Sequence, residues 1–436
     1  MKEYNKKIEF IPSINLKKTN SISDAFDAIN GRFKVMNAKP VVLTIENLKD
    51  DMKRTHAVNQ IYNELGPWGT IPVLDKKGRV IGLAVPEMLQ AYDMNPGAQD
   101  LLRSKSPQVL VVGGAGYIGS VLVSMLLEKG WRARVLDNML YKQTSLDKIK
   151  NKHLSVMRRD VANINDVLAA IEGIDAVVYL AEIVGDPACA YTPERALKTN
   201  YLSVANMAHL CSYLNINRFI YASSCSVYGG SPNPDFFLTE NSELNPISYY
   251  GRMKIMAEQV TLGISNPLFA PTILRLATVF GHSYRPRFDL VVNTFAKNAF
   301  FQKYIEVFGG EQWRPNVHVR DVASAIIKIL EAPLDKVSRQ IFNVGSKQGN
   351  HTISELAGMA EEIFPGISIR QQGQSKDPRN YKVDFTKIEN ALGYKAGTSV
   401  RDGLMELRDV FERGEISDPE DSRYSNIKAI KEIMSK

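Results

Sequence analysis

VLVVGGAGYIG, at Val109–Gly119, joins a strand pattern to a glycine-rich turn. The first four residues are apolar, which is typical of a strand buried on both faces of a parallel sheet. Glycines follow at three-residue spacing, and apolar residues then return at helical spacing until Gly130 ends the pattern. A strand, a glycine turn and a helix N-terminus together form a binding site for a diphosphate, because the backbone comes close and unpaired amides favour an anion.

The second strand pattern, Ala133–Leu136, is followed at once by Asp137. In dinucleotide-binding proteins an acidic residue about 20 positions beyond the glycine turn binds the hydroxyls of the ribose. A carboxylate there would repel the additional phosphate of NADP, so the pattern predicts NAD as the ligand. The alternative interpretation is a tight strand-to-helix turn with no ligand.

Composition places the chain among ordinary soluble globular proteins, with 44% hydrophobic and 23% charged residues over a length of 436. The length predicts two domains. The net charge of +7 arises from lysines and arginines dispersed among acids, which indicates a solvated surface and no nucleic-acid partner. There is no apolar run of membrane-spanning length and no signal-peptide pattern, so no membrane partner is expected. Three scattered cysteines (Cys189, Cys211, Cys225) predict neither disulfides nor a metal site and favour the cytoplasm.

Residues 1–105 are predicted to form a small α+β domain of their own. Within it, 71–83 read as a strand, an Asp-x-x-Gly turn and a second strand, which predicts a hairpin. This segment resembles the hairpin of a CBS module, a small regulatory unit that binds adenine nucleotides in some proteins. Two roles therefore stay open for the domain: sensing an adenine nucleotide, or serving as a packing or dimerising appendage. The segment 95–107 is the predicted linker.

From Gln108 onward strand patterns alternate with helical patterns. Further strands are predicted at 154–161, 176–181, 218–224 and 273–276, with helices such as 164–171 and 200–214 between them. The alternation predicts an α/β catalytic domain over 106–436. Its core, about 108–280, is a Rossmann-type doubly wound parallel sheet, and a smaller C-terminal substrate lobe lies mainly within about 281–436. Ligands bind at the carboxyl ends of such strands, where Asp160, Val161, Leu180, Ala181, Ser223, Ser224 and Thr278 stand.

Tyr250 and Lys254 are four residues apart, which places both side chains on one face of a helix. A nearby ammonium favours tyrosinate, so we expect Lys254 to lower the pKa of the phenol and to let it act as base or acid. Tyr249 is the rival, but its side chain points about 140 degrees away from the lysine on the helix. Ser224 closes a strand upstream, where its hydroxyl is placed to bind a substrate oxygen beside the phenol.

These motifs together resemble the extended short-chain dehydrogenase/reductases, most closely the NAD-dependent nucleotide-sugar epimerase/dehydratase group that includes UDP-glucose 4-epimerase. The resemblance covers about residues 108–400 and rests on the glycine turn, LDN at 136–138, DV at 160–161, SSCSVYG at 223–229 and the Tyr-x-x-x-Lys pair. It implies NAD as cofactor, a homodimer, and Ser224, Tyr250 and Lys254 as the catalytic set, with Lys254 also contacting the nicotinamide ribose. The other residues that it implies for NAD binding are Gly113, Gly116, Tyr117, Ile118, Asp137, Asn138, Asp160, Val161, Leu180, Ala181 and Asn200.

The same resemblance extends into the C-terminal lobe. Arg314, within GEQWRPNVHVRDVA at 310–323, and Arg379, within DPRNY at 377–381, would bind the diphosphate of a nucleotide sugar. Phe308 stands where the family covers the nucleotide base. The alternatives are surface ion pairs for the two arginines and a core position for the phenylalanine. His318 is interpreted as a structural histidine.

Three reactions are compatible with this set of residues. A 4-epimerase is favoured, in which hydride transfer to NAD gives a 4-keto-sugar that is reduced again from the other face. A dehydrogenase or ketoreductase would release the keto-sugar. A 4,6-dehydratase ranks low, because its family pattern carries an acid pair after the catalytic hydroxyl, where this chain has Cys225 and Ser226. A non-catalytic nucleotide-sensing protein is the remaining alternative. Glu182 also departs from the family, which has a small residue beside the cofactor at that position.

Overall fold

The computed structural model describes residues 43–44, 71–74, 80–84, 106–230, 236–266, 269–373 and 379–435. The chain divides into two compact units, Met1–Pro96 and Gly97–Lys436. In the first unit, β1 (Leu43–Thr44) pairs in parallel with β2 (Ile71–Leu74), and β2 pairs antiparallel with β3 (Val80–Ala84). The two strands of the predicted hairpin are therefore present. The remainder of the predicted CBS-like domain, with its adenine nucleotide, lies outside the described residues.

The strands of the second unit include the six that were expected from the sequence, together with others that were not. They are β4 (Gln108–Val112), β5 (Arg132–Asp137), β6 (Leu154–Arg158), β7 (Ala176–Tyr179), β8 (Arg218–Ser224), β9 (Phe237–Leu238), β10 (Ala270–Leu276), β11 (Thr278–Phe280), β12 (Tyr304–Phe308), β13 (Trp313–His318), β14 (Gln340–Val344), β15 (Asn350–Thr352), β16 (Ser368–Gln372) and β17 (Lys382–Val383).

Seven of these strands form one parallel sheet in the order β14-β10-β8-β7-β4-β5-β6. The first strand, β4, lies in its interior, where Val111 pairs with Val135 on one side and Val178 on the other. The order reverses at β4, as in a doubly wound sheet, so the predicted Rossmann-type fold is confirmed. The seventh strand, β14, was not predicted.

The helices of this unit separate the strands. They are α1 (Tyr117–Glu128), α2 (Ile164–Ile171), α3 (Asp186–Tyr191), α4 (Pro193–Leu197), α5 (Ser203–Tyr213), α6 (Tyr249–Gly263), α7 (Val291–Gln302), α8 (Val319–Glu331), α9 (Leu334–Val337), α10 (Ile353–Ile363), α11 (Thr386–Leu392), α12 (Val400–Glu412) and α13 (Asn426–Met434). The helix predicted at 164–171 has the bounds of α2. The helix predicted at 200–214 begins instead with a π-helical turn over Lys198–Leu202 and continues as α5.

Both faces of the sheet carry helices, which explains why central strands such as β4 and β7 are apolar and buried along almost their whole length. On one face α1 and α8 pack together, with Leu122 and Ile326 fully buried. On the other face α2, α5 and α6 enclose Leu110 and Phe219. Each fully buried aliphatic or aromatic side chain of this kind contributes about 1.5–3 kcal/mol by leaving water.

The lobe has a core of its own, formed where α7, α10 and α12 pack around residues such as Phe295, Leu356 and Phe411. The chain then returns to the main domain, because α13 packs against α3 and contributes Ile430 to a small cluster beside the strand ends. The carboxyl ends of the strands therefore face a cleft that is walled by the sheet, the lobe and α13.

Candidate active site

A cavity of about 640 Å³ lies at the carboxyl ends of the strands. It brings together sixteen of the residues that the sequence singled out, although their roles stay predictions. These lining residues are Gly113, Gly116, Tyr117, Ile118, Asp137, Asn138, Val161, Leu180, Ala181, Ser224, Tyr250, Lys254, Thr278, Phe308, Arg314 and Arg379.

Two predicted cofactor residues, Asp160 and Asn200, do not line the cavity. The side chain of Asn200 is fully buried and bonds the backbone of Ile183 twice, accepting from its N–H at 2.8 Å and donating to its carbonyl at 2.9 Å. Asp160 accepts hydrogen bonds from the Asn138 side chain and the Ala162 backbone. Both residues order loops at the rim rather than presenting atoms to the cavity.

The glycine turn is close-packed. Gly113 adopts a φ of +81°, and a Cβ at Gly119 would lie 2.3 Å from the carbonyl oxygen of Gly113, so both positions require glycine. Asp137 is hydrogen-bonded to the turn. Its carboxylate accepts from the backbone N–H of Ala115, within the turn, at 3.0 Å and from that of Met139 at 2.9 Å. Burial raises the pKa of Asp137, while these amides oppose the shift.

Helix α6 presents Tyr250 and Lys254 to the cavity, as their spacing predicted. Tyr250 is 8% exposed and lines the cavity, whereas Tyr249 is 38% exposed and does not. Ser248 precedes the helix as its N-cap, and its side chain accepts a hydrogen bond from Gly251 N–H at 3.1 Å. The Lys254 ammonium donates to the carbonyl of Ala222 on β8, which anchors α6 to the strand that ends in Ser224.

Glu182 forms an ion pair with Lys254 inside this cavity. The carboxylate also accepts a hydrogen bond of 2.8 Å from the Tyr221 hydroxyl. The net shift of the Tyr250 pKa is opposite to the one expected from Lys254 alone, because burial, and next the charge of Glu182, raise that pKa well above its usual value. Burial lowers the pKa of Lys254, and the adjacent carboxylate opposes that shift. The sequence showed that Glu182 departs from the family pattern, but its ion-pair partner, Lys254, is evident only from the structure.

The three residues predicted to bind the nucleotide part of the substrate also line the cavity. Phe308 is 53% exposed, which excludes a core position. Arg314 is buried and donates to the backbone carbonyls of Trp313, at 2.9 Å, and Arg379. Arg379 in turn forms an ion pair of 3.2 Å with Asp186. The two arginines thus lie side by side, facing the cavity.

Of the further arginines that line the cavity and were not predicted from the sequence, two are buried. Arg285 and Arg287 belong to the segment that leads from β11 to α7, and both are buried. Arg287 pairs with Asp289 at 2.9 Å, whereas Arg285 donates to the Oδ1 atom of Asn426, the first residue of α13, at 2.7 Å. The Arg-x-Arg pattern was a signal, but nothing in the sequence placed it at the cleft.

His318 and Cys225 have structural environments. His318 is buried; its Nε2 atom lies 2.9 Å from a carboxylate oxygen of Glu406, and its Nδ1 atom accepts from Arg320 N–H at the start of α8. Cys225 is buried, and burial raises the pKa of its thiol far above the usual value. Among the described residues, no group of histidines, cysteines and acids is arranged to hold a metal ion. No helix in the described part of the chain has the length and apolarity needed to cross a bilayer.

Comparison with known proteins agrees with this arrangement. The family model described as "NAD dependent epimerase/dehydratase family" matches residues 109–345, more than half of the chain. The chain belongs to this family. UDP-glucuronic acid decarboxylase 2 of Arabidopsis thaliana is 30% identical over 315 residues, which cover 70% of this chain and 68% of the relative.

Two solved structures share the fold at 25% identity. One is the UDP-glucuronic acid 4-epimerase from Bacillus cereus in complex with UDP-glucuronic acid and NAD, with a TM-score of 0.63 over 70% of this chain and 99% of that one. The other is the UDP-glucose 4-epimerase from Thermotoga maritima with UDP-glucose, with a TM-score of 0.63 over 71% of this chain and 99% of that one.

NAD is therefore the cofactor, and the cleft beside the glycine turn fits it. The acidic residue at the end of β5, Asp137, faces the cavity there. Two buried donors that line the cavity, the Tyr141 hydroxyl and the Nε–H of Arg285, have no hydrogen-bond partner among the residues that the structure describes. Buried donors rarely stay unpaired, so they indicate a ligand with acceptor atoms.

Proposed function

We propose that this chain is an NAD-dependent nucleotide-sugar 4-epimerase that acts through a 4-keto-sugar. The observation that carries the proposal is that Ser224, Tyr250 and Lys254 face one cavity that the glycine turn, Arg314 and Arg379 also line. A cofactor bound at the turn and a sugar diphosphate bound by the arginines would share that cavity with the tyrosine.

The proton chemistry belongs to Tyr250. Bound NAD would supply reversible hydride transfer, because it accepts a hydride from a sugar carbon and can return it. While that carbon becomes a ketone, Tyr250 removes the proton of its hydroxyl, and it returns the proton after the keto-sugar has turned its other face. Ser224 holds the same oxygen by a hydrogen bond. Tyr250 acts in this step as tyrosinate and becomes the neutral phenol; the ammonium of Lys254 stabilises that tyrosinate, and Glu182 limits the effect because it neutralises the ammonium.

Elimination of water is disfavoured by the residues that follow Ser224. Cys225 is buried with its thiol directed to the carbonyl of Arg275 at 3.3 Å, and Ser226 is bonded to Ser224. Neither side chain is an acid that can protonate a leaving hydroxyl or remove the proton beside the ketone. Glu182, whose carboxylate acts on Tyr250, is committed to Lys254 and Tyr221.

Decarboxylation of a nucleotide-linked uronic acid is the second candidate, favoured by the similarity to a UDP-glucuronic acid decarboxylase. It starts with the same step, because oxidation at carbon 4 of a uronic acid gives a β-keto acid, which loses carbon dioxide readily. The two reactions differ in what happens to the keto-sugar before it is reduced.

The test is to incubate the purified full chain and NAD with UDP-, GDP-, CDP- and dTDP-hexoses and with UDP-glucuronic acid, and to identify products by NMR. A 4-epimer without net NADH supports the proposal. A pentose with released carbon dioxide supports the decarboxylase, and stoichiometric NADH supports a dehydrogenase. If every nucleotide sugar is returned unchanged, the proposal is wrong.

A further inference from the structure

Arg285 carries a positive charge in a buried position. Its side chain is 6% exposed and faces the cavity, yet among the described residues its guanidinium has no ion pair. Its Nη2 group donates to the neutral amide of Asn426, and its Nε–H has no acceptor. A buried charge is costly unless it is paired, so this arginine is incomplete without an anion.

The acids that surround Arg285 are already engaged. Asp289 accepts from Arg287 Nε at 2.9 Å and from the backbone N–H of Asn426 at 2.9 Å. Asp137 accepts from two backbone amides and from the Gln143 side chain. The neighbouring Arg287 adds a second positive charge, which together with burial lowers the pKa of Arg285 to about 10. Arg285 is still charged at neutral pH, and the local charge favours an incoming anion.

A second unpaired donor lies beside it. The guanidinium carbon of Arg285 is 4.5 Å from the ring centre of Tyr141, and the Tyr141 hydroxyl is buried with no hydrogen-bond partner in the described part of the chain. Tyr141 follows β5, four residues after Asp137, and lines the cavity with Gly113 and Gly116. Two unsatisfied donors of different residues thus face the part of the cavity that contains the glycine turn.

We propose that Arg285 and Tyr141 bind the diphosphate of the dinucleotide from the side opposite to the glycine turn. The turn and the N-terminus of α1 offer backbone amides to one side of the diphosphate. Arg285 supplies the charge that these amides lack, and a guanidinium binds two phosphate oxygens at once. This inference rests on the cofactor of the proposed function and not on the reaction that follows.

The C-terminal helix holds this arginine in place. Asn426 accepts from Arg285, donates its backbone N–H to Asp289 and donates its side-chain amide to the carbonyl of Val184 at 3.1 Å. One residue at the start of α13 therefore joins the lobe segment to the loop after β7. The chain end thereby contributes to dinucleotide binding through Arg285.

The experiment compares binding of ADP and of adenosine to the nucleotide-free full chain by calorimetry, since only ADP carries the diphosphate. We expect Arg285→Gln to weaken ADP binding at least tenfold and Tyr141→Phe to weaken it severalfold, with adenosine affinity within twofold of wild type. Arg134→Gln is the matched control, because Arg134 lies on β5 and donates to the carbonyls of Ala170 and Glu172 away from the cavity. It should leave both affinities unchanged.

Three outcomes would overturn the inference. Equal loss of ADP and adenosine binding would show that Arg285 supports the fold or the adenosine, and ADP affinity unchanged in both variants would show that the diphosphate is bound without them. Loss confined to NADP, tested in parallel, would assign the arginine to a 2′-phosphate. None of these readouts depends on turnover, so failure of the proposed epimerase activity is scored separately.

Discussion

The carboxylate of Glu182 and the ammonium of Lys254 form an ion pair in which each side chain is 3% exposed. The pair lies in the cavity with Tyr250, so the charge that would assist this tyrosine in its proposed catalytic role is neutralised before any ligand binds. Contacts to the lysine from bound NAD would then compete with the carboxylate. We therefore expect the ion pair between Glu182 and Lys254 to control the pKa of Tyr250.

Replacement of Glu182 by glutamine should shift the pH profile of the reaction to lower pH. Glu182 is among the causes that raise the pKa of Tyr250, so its removal lowers that pKa and the base form appears at lower pH. The pH dependence of kcat/KM measures the shift. Tyr221→Phe, which removes only the hydrogen bond to the carboxylate, is the comparison and should move the profile less. A profile that stays in place in the glutamine variant contradicts this role.

Tyr250→Phe should reduce turnover by about 10²–10⁴-fold, because the phenol is the proton-transfer group. NAD binding, followed by calorimetry, should persist. Tyr249→Phe is the matched control on the same helix: its ring is exposed and outside the cavity, so its activity should equal that of wild type. Comparable losses in both variants would show that Tyr250 is wrongly assigned.

Phe308→Ala should raise KM for the nucleotide sugar and leave kcat nearly unchanged. The ring is half-exposed at the end of β12, where it would cover the nucleotide base, so little stability depends on it. Initial rates over a range of substrate concentrations separate the two constants. Tyr213→Ala, at an exposed position remote from the cavity, serves as the control. A fall in kcat at constant KM would exclude a role in binding the base.

Arg275→Met should destabilise the fold by about 3–5 kcal/mol, because it leaves a buried carboxylate unpaired. Arg275 donates to both oxygens of Glu258, at 3.1 and 2.8 Å, behind the strand end that carries Ser224. The half-exposed pair of Lys129 and Glu331 offers the comparison, and Lys129→Met should cost about 0–1 kcal/mol. Chemical denaturation of both variants gives the difference, and similar costs would refute the distinction.

The sheet and the catalytic helix were predictable because their signals are local. Apolar runs such as Val109–Val112 read as buried strands, and a four-residue spacing is enough to place Tyr250 and Lys254 together. The strand β14 escaped prediction because it lies at the edge of the sheet, where its first two residues are partly exposed and the apolar run is shorter. Its place depends on pairing with β10, which is distant in sequence.

The direction in which a side chain points was the second property that could not be predicted from the sequence. Asp160 follows β6 and Asn200 lies in the π-helical turn before α5, but their side chains bond loop backbone and a neighbouring asparagine instead of facing the cavity. Arg285 is the converse case, a residue from a loop of unknown path that the fold brings to the glycine turn. Such placements depend on tertiary packing, about which spacing along the chain carries no information.

The junction between Tyr117 and the lobe bears on how this protein can be re-engineered. The Tyr117 hydroxyl donates to the carbonyl of Gly281 at 2.7 Å and accepts from Asn293, and its backbone carbonyl accepts from Ser283 at 2.6 Å. The turn that begins α1 is thus fastened to the first residues of the lobe. A chimera could exchange the lobe after residue 280 for that of a relative in order to accept a new sugar. Such a chimera would also bind the dinucleotide more weakly unless these three hydrogen bonds are retained.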